Sequence, residues 1–229
     1  MIGCPRVHYR LTDSTNDRAR ELALAGAPHG TLVTADEQTA GRGRQGRTWL
    51  AAPRSAVTTS VLLRGLDEDS AAIPLAAAVA VCDGLAPLDC RIKWPNDVWI
   101  DRRKVSGILV EGRPQEGWAV LGIGINVSTA SADFTPQLRE TATSLRIAGD
   151  DRGVEEVLAT LMAALDARLG QPAAEVLAAW SERDALRGET VRWRDGEGTA
   201  AGIDESGALI VETESGRVTL DAGEVHLLR

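Results

Sequence analysis

Trp118–Val127 reads Trp-Ala-Val-Leu-Gly-Ile-Gly-Ile-Asn-Val, and no other stretch limits the fold so tightly. A strand this apolar offers water no face, so it must run inside a sheet that is covered on both sides. Gly122 and Gly124 remove side chains from its middle. That weakens a strand unless something has to lie against its backbone. Ser55–Leu63 is rich in β-branched residues and reads as a second central strand. The apolar run up to Ala86, with Ser70 as cap and Pro74 near the first turn, reads as a buried helix.

Shorter elements surround this centre. Val7–Leu11 alternates as a strand, and Ser14 caps a helix that Gly26 ends. Residues 31–36 read as a strand, and 91–100 as two strand pieces broken at Pro95. A tight turn at 101–103 leads into a strand over 104–111, while 130–150 is loop with little periodicity. Residues 154–169 and 173–183 read as amphipathic helices parted by Gly170 and Pro172. From Gly188 the pattern changes to short alternating segments split at Asp195-Gly196, Ser206-Gly207 and Ser215-Gly216. These predict a small all-β module of hairpins.

Gly41-Arg42-Gly43-Arg44-Gln45-Gly46-Arg47-Thr48-Trp49 is the stretch richest in chemistry. Its three arginines cannot be buried without partners, and guanidinium forks match carboxylate and phosphate oxygens. It therefore predicts a loop that orders around an anion. Formally it contains G-x-G-x-x-G, but a dinucleotide fingerprint must open a helix. Here Thr48, Trp49 and Pro53 follow, then the β-branched run, so that reading fails. No Gly-Lys-Ser/Thr follows a glycine run, which removes a Walker loop.

Composition adds two arguments. The net charge of -8 sets these arginines as a local patch on an acidic chain, which suits a small anion better than a duplex. Only two of the 25 basic residues are lysines, Lys93 and Lys104, and only three asparagines occur, Asn16, Asn96 and Asn126. In a chain that favours Arg over Lys so strongly, these survivors mark positions where no substitute serves. The cysteines Cys4, Cys82 and Cys90 are odd in number and lack metal spacing, so neither a disulfide framework nor a zinc site is expected. No signal peptide or membrane span is read, and a reducing cytoplasmic compartment is expected.

Together these residues carry a resemblance. Ser14-Thr15-Asn16, Gln38 through Trp49, Lys93-Trp94-Pro95-Asn96-Asp97, Lys104-Val105-Ser106-Gly107-Ile108-Leu109-Val110-Glu111 and Gly122-Ile123-Gly124-Ile125-Asn126 resemble the motifs of biotin protein ligases. Gly202-Ile203-Asp204 with Gly207-Ala208-Leu209 is similar to that family's C-terminal module. The resemblance implies an α+β fold: a catalytic core like that of class II aminoacyl-tRNA synthetases, a mixed sheet flanked by helices, over 1–185, and a small SH3-like β-barrel over 186–229. It also implies activation of biotin by ATP and Mg²⁺ to biotinyl-5′-AMP, then transfer to a lysine of a biotin carboxyl carrier protein.

The same resemblance implies roles. Lys104 and Arg42 are expected to be catalytic, at the carboxylate and α-phosphate. Biotin is expected to meet Ser14, Thr15, Asn16, Gln38, Arg42, Arg44 and Lys104. Gly43 and Gly107 are expected to meet it too, and Gly41, Gly122 and Gly124 to leave room for its ring and tail. ATP is expected to meet Arg44, Arg47, Trp49, Asn96, Asn126, Arg192 and Arg229, with Asp97 holding Mg²⁺. Trp94 and Pro95 read as packing, and Glu111 as counter-charge to a nearby arginine. Gln45 stands where the family commonly has a basic residue. Only thirteen residues precede Ser14, leaving no room for the winged helix-turn-helix of bifunctional members, so no DNA binding is expected, and the chain is expected as a monomer or weak homodimer. A lipoate ligase or acyltransferase of the same fold, or a non-catalytic biotin-binding regulator, are the alternatives.

Overall fold

The computed structural model describes residues 1–66, 72–113, 116–221, 223 and 225–228. Strands β1 (Arg6–Tyr9), β2 (Leu32–Ala35), β3 (Ala56–Arg64), β4 (Arg91–Lys93), β5 (Asp97–Ile100), β6 (Arg103–Arg113) and β7 (Trp118–Asn126) form one seven-stranded sheet. Its order is β1-β2-β3-β7-β6-β5-β4. Only the β1–β2 pair is parallel. The apolar β7 lies at its centre, as its composition requires.

Alternation assigns the two faces. Leu121, Ile123 and Ile125 of β7 join Val57 and Val61 of β3 in the main core, under helix α2 (Ile73–Gly84). Helix α2 is buried almost throughout and packs on α3 (Val154–Leu169). Ser70, expected as its cap, lies outside the described residues. Its C-terminal carbonyls find partners from afar: Arg152 donates to Gly84 O at 3.0 Å and to Leu85 O at 3.2 Å. Asp150 steadies that arginine at 2.6 Å, and Arg152's hydrogen bonds hold the Asp150 carboxyl below the usual carboxylate range.

Helix α1 (Thr15–Leu24) covers part of the opposite face through Ala19 and Ala23, against Val33, Leu62, Trp118 and Val120. Ser14 takes the expected N-cap position, but its side chain makes no cap bond. Gln38 does this work instead, its Oε1 accepting the Thr15 N–H at 2.7 Å.

Helix α4 (Ala173–Ser181) leads to a second, antiparallel sheet. It comprises β8 (Thr190–Trp193), β9 (Gly196–Ile203), β10 (Leu209–Thr213), β11 (Gly216–Leu220) and β12 (His226–Leu227), ordered β11-β10-β9-β8-β12. This is the α+β architecture expected, a mixed sheet with helices followed by a five-stranded module. Trp94 is buried and donates its Nε1–H to Gly207 O at 3.0 Å, tying that module to the turn before β5.

Candidate active site

The part of the sheet that α1 leaves bare becomes a cavity of about 540 Å³. Its floor is the middle of the sheet, where Thr58 of β3, Gly124 of β7 and Gly107 of β6 stand in one cross-strand row. Ser60 and Gly122 form the next row, towards α1. Gly107, Gly122 and Gly124 therefore floor one site, but Gly122 and Gly124 adjoin protein groups. A Cβ at Gly122 would collide with the Asn16 amide, and one at Gly124 would stand 2.6 Å from Trp49 Cζ2. Room expected for ring and tail is thus taken, at these two points, by Asn16 and by the Trp49 indole.

The arginine stretch folds over this floor as a small hairpin. Trp49 N–H donates to Gly41 O at 2.9 Å and Gly43 N–H to Arg47 O at 2.7 Å. A 3-10 turn at Arg44–Gly46 closes it, with Gln45 at φ 54° and Gly46 at φ 74°. Gly41 does not line the cavity. Its Cβ would lie 2.5 Å from Trp49 O, so glycine there permits the hairpin to close. Gly43, Arg44, Arg47 and Trp49 all line the cavity.

A β-bulge aims Lys104 into the site. Trp99 pairs with Lys104 but Val98 pairs with Ser106, so Val105 is an extra residue on β6. Simple alternation would put Lys104 on the core face with Ser106. The bulge turns it to the cavity face, where its Nζ would stand 3.1 Å from a Cβ at Gly107. There it pairs with Asp97 Oδ1 at 2.6 Å. The Lys104 main chain is clamped on both sides, by Thr141 O and Thr143 N–H, each at 2.8 Å. The 130–150 segment is therefore an edge extension of β6, and Leu138, Thr141 and Ala142 from it face the cavity. Nothing in its weak periodicity marks that role.

Both remaining asparagines line the cavity on anchored side chains. Asn96 Nδ2 donates to Ile108 O and Asn126 Nδ2 to Thr143 O, both at 2.9 Å. Lys93 Nζ lies 5.7 Å from the Trp99 ring centre. At the α1 end, Ser14, Thr15, Asn16 and Gln38 form an uncharged polar wall. Thr15 Oγ1 donates to Gln38 Oε1 at 3.0 Å.

Three expected residues have protein partners. Arg42 and Asn16 line the cavity, and Arg42 donates to Asp17 Oδ1 at 2.7 Å and Glu111 Oε1 at 2.6 Å. Asn16 has both ends of its amide on protein, Nδ2 on Glu111 at 2.7 Å and Oδ1 facing Ser60 Oγ at 2.5 Å. Arg192 does not line the cavity; it is exposed on β8 and pairs with Glu197 at 2.9 Å. Arg229 lies outside the described residues. The β module reaches the cavity through Gly223, His226 and Leu227 instead. Arg102, in the turn before β6, also lines the cavity; it, Ser60 and these three carry no motif and were invisible in the sequence.

This geometry sets an uncharged polar wall and several cationic side chains in a single cavity under an arginine-rich hairpin. The chain belongs to the Biotin/lipoate A/B protein ligase family, whose pattern matches residues 8–128. The pattern of the biotin protein ligase C terminal domain matches residues 187–228. The chain is 34% identical to a biotin--[acetyl-CoA-carboxylase] ligase of Mycobacterium tuberculosis, over 95% of this chain and 87% of that protein. It is 36% identical to one from Paracoccus denitrificans, over 93% and 97% of the two chains. The structure is similar to that of a biotin protein ligase from Aquifex aeolicus in complex with biotin and ATP, with a TM-score of 0.85, 30% identity and 98% of both chains covered.

Proposed function

We propose that this protein is a biotin ligase that joins biotin to ATP as biotinyl-5′-AMP and then passes biotin to a lysine of a biotin carboxyl carrier protein. The observation that carries the reading is Lys104, turned by a bulge into a cavity whose far wall is neutral and polar. Biotin has just those two ends, a neutral ureido ring and a carboxylate.

Thr15, Gln38 and Ser14 receive the ureido ring. The carboxylate then lies towards Lys104, with the triphosphate under Arg44 and Arg47 and the adenine beside Trp49. A carboxylate oxygen attacks the α-phosphorus, a P–O bond forms, and the bond to the pyrophosphate oxygen breaks. Charge grows on the phosphoryl oxygens, and Lys104 is the fixed cation there. In the second step the carrier amine attacks the acyl carbon, loses a proton, and AMP leaves. The hairpin keeps water from the mixed anhydride.

Among the described residues no group of three or more His, Cys, Asp or Glu could hold a metal. Asp97 is the carboxylate available in the cavity, which fits Mg²⁺ held by one side chain and the phosphates. Bound there, Mg²⁺ would offset triphosphate charge. We read 1–185 as the catalytic unit and 186–229 as the module that closes the nucleotide end.

No helix among the described residues is long and apolar enough to cross a membrane. Cys82 and Cys90 are buried free thiols, which accords with a reducing cytoplasm. The acidic net charge of -8 accords with activity as a monomer or weak dimer without DNA. A salt-dependent gel shift on operator DNA contradicts that last reading. ATP–pyrophosphate exchange tests the first: it should depend on biotin, and exchange driven by lipoate alone assigns the chain to lipoate chemistry.

A further inference from the structure

Among the described residues, Glu111 is the carboxylate that meets both Asn16 at the polar wall and Arg42 of the hairpin. Its Oε2 accepts the Asn16 amide at 2.7 Å. Its Oε1 accepts Arg42 at 2.6 Å and Arg20 at 3.2 Å. An ionised carboxylate only accepts, so it fixes the Asn16 amide with nitrogen outward and oxygen towards Ser60. Ser60 is fully buried, and its one proton is shared in a three-centre bond between Asn16 Oδ1 at 2.5 Å and Thr15 Oγ1 at 2.8 Å. Thr15 commits both its N–H and its hydroxyl to Gln38 Oε1. The Gln38 oxygen is thereby held on α1, and its NH₂ is the end left for a ligand acceptor. Glycine at 122 is what lets Asn16 lie flat on β7 at the middle of this chain.

Glu111 also docks the hairpin. Arg42 bridges Asp17 on α1 and Glu111 on β6, and Arg20 braces the same two carboxylates at 3.0 and 3.2 Å. These four charges cancel, so Arg42 is a clasp between hairpin and core more than an open anion site. We propose that Glu111 is a positioning residue for biotin activation. Through Asn16 and Ser60 it orients the Thr15–Gln38 pair, and through Arg42 it holds the hairpin down over the same ligand. Ring recognition and closure are then one coupled event. The inference rests on the biotin reading above.

Three variants separate its two arms, with a fourth as control for folding. Ser60→Ala cuts the ring arm, Asp17→Asn cuts only the clasp, and Glu111→Ala cuts both. Glu111→Gln keeps an acceptor for Asn16 but loses the charge on Arg42, so it should match Asp17→Asn. Two quantities are read: biotin KM and kcat in ATP–pyrophosphate exchange, and tryptic cleavage within 42–47 at saturating biotin and MgATP. Ser60→Ala should raise biotin KM about tenfold while the hairpin stays protected. Asp17→Asn should speed cleavage with a smaller rise in KM. Glu111→Ala should do both, with kcat at saturating biotin within about threefold of wild type. The inference is overturned if Glu111→Ala changes neither readout or lowers kcat alone, or if Ser60→Ala exposes the hairpin as much as Asp17→Asn. Absence of biotin-dependent exchange by the wild-type protein would instead refute the functional reading.

Discussion

Replacing Lys104 by alanine should slow adenylation far more than it weakens biotin binding. Lys104 Nζ has three donors, and one is spent on Asp97 Oδ1 at 2.6 Å. Two remain for the carboxylate and the α-phosphate, whose charge grows only in the transition state. Removing a fixed donor of this kind costs about 2–4 kcal/mol. That corresponds to a loss of roughly 30- to 1,000-fold in kcat/KM. Asp97, only 19% exposed, keeps Mg²⁺ as its counter-charge in this reading, so Lys104→Ala combined with Asp97→Asn should recover none of the loss. The assay is biotin-dependent ATP–pyrophosphate exchange, with biotin binding followed by calorimetry. Near-wild-type exchange by Lys104→Ala would refute the reasoning.

Three further predictions follow from the same geometry. Gly122→Ala places a methyl on the Asn16 amide and should raise biotin KM, whereas Gly124→Ala pushes the Trp49 indole and should raise ATP KM. Exchange kinetics with each substrate varied would show the crossover, and identical profiles would contradict it. Asp150→Asn should cost about 1–3 kcal/mol of stability at pH 7, measured by chemical denaturation, because Arg152 loses its partner beneath α2. The Asp150 carboxyl is held low in the folded state, so its stabilisation is complete above the usual carboxylate range and lost as pH falls through the lowered value. The variant and wild type should thus converge in strong acid. Trypsin should cut 42–47 faster in the free protein than with biotin and MgATP present, since the hairpin's turn is exposed and carries arginines. Equal rates would argue against ligand-linked closure.

Much of the fold was legible because hydrophobic pattern and turn residues act locally. The apolar 118–127 stretch could only be central, and Asp195-Gly196, Ser206-Gly207 and Ser215-Gly216 lie at or beside hairpin connections. What escaped depends on register and on distant partners. Lys104 reaches the cavity because Val105 is extra on one strand, and a pairing defect of that kind leaves no periodic mark. Ser60 is one hydroxyl in a β-branched run, and its importance comes from Gly122 opposite and Asn16 above. The 130–150 segment takes its order from main-chain bonds to Lys104 and from the Asn126 carbonyl and side-chain amide, partners outside the segment. Arg42, in an anion-seeking motif at the cavity wall, is held by Asp17 and Glu111, partners far from it in sequence.

The central claim is tested most directly by incubating the protein with radiolabelled biotin, MgATP and an apo carrier domain, beside the same domain with its acceptor lysine changed to arginine. The account predicts label on the wild-type carrier alone, dependent on ATP and competed by unlabelled biotin but not by lipoate. A carrier that stays unlabelled, or one labelled from lipoate in place of biotin, would contradict it.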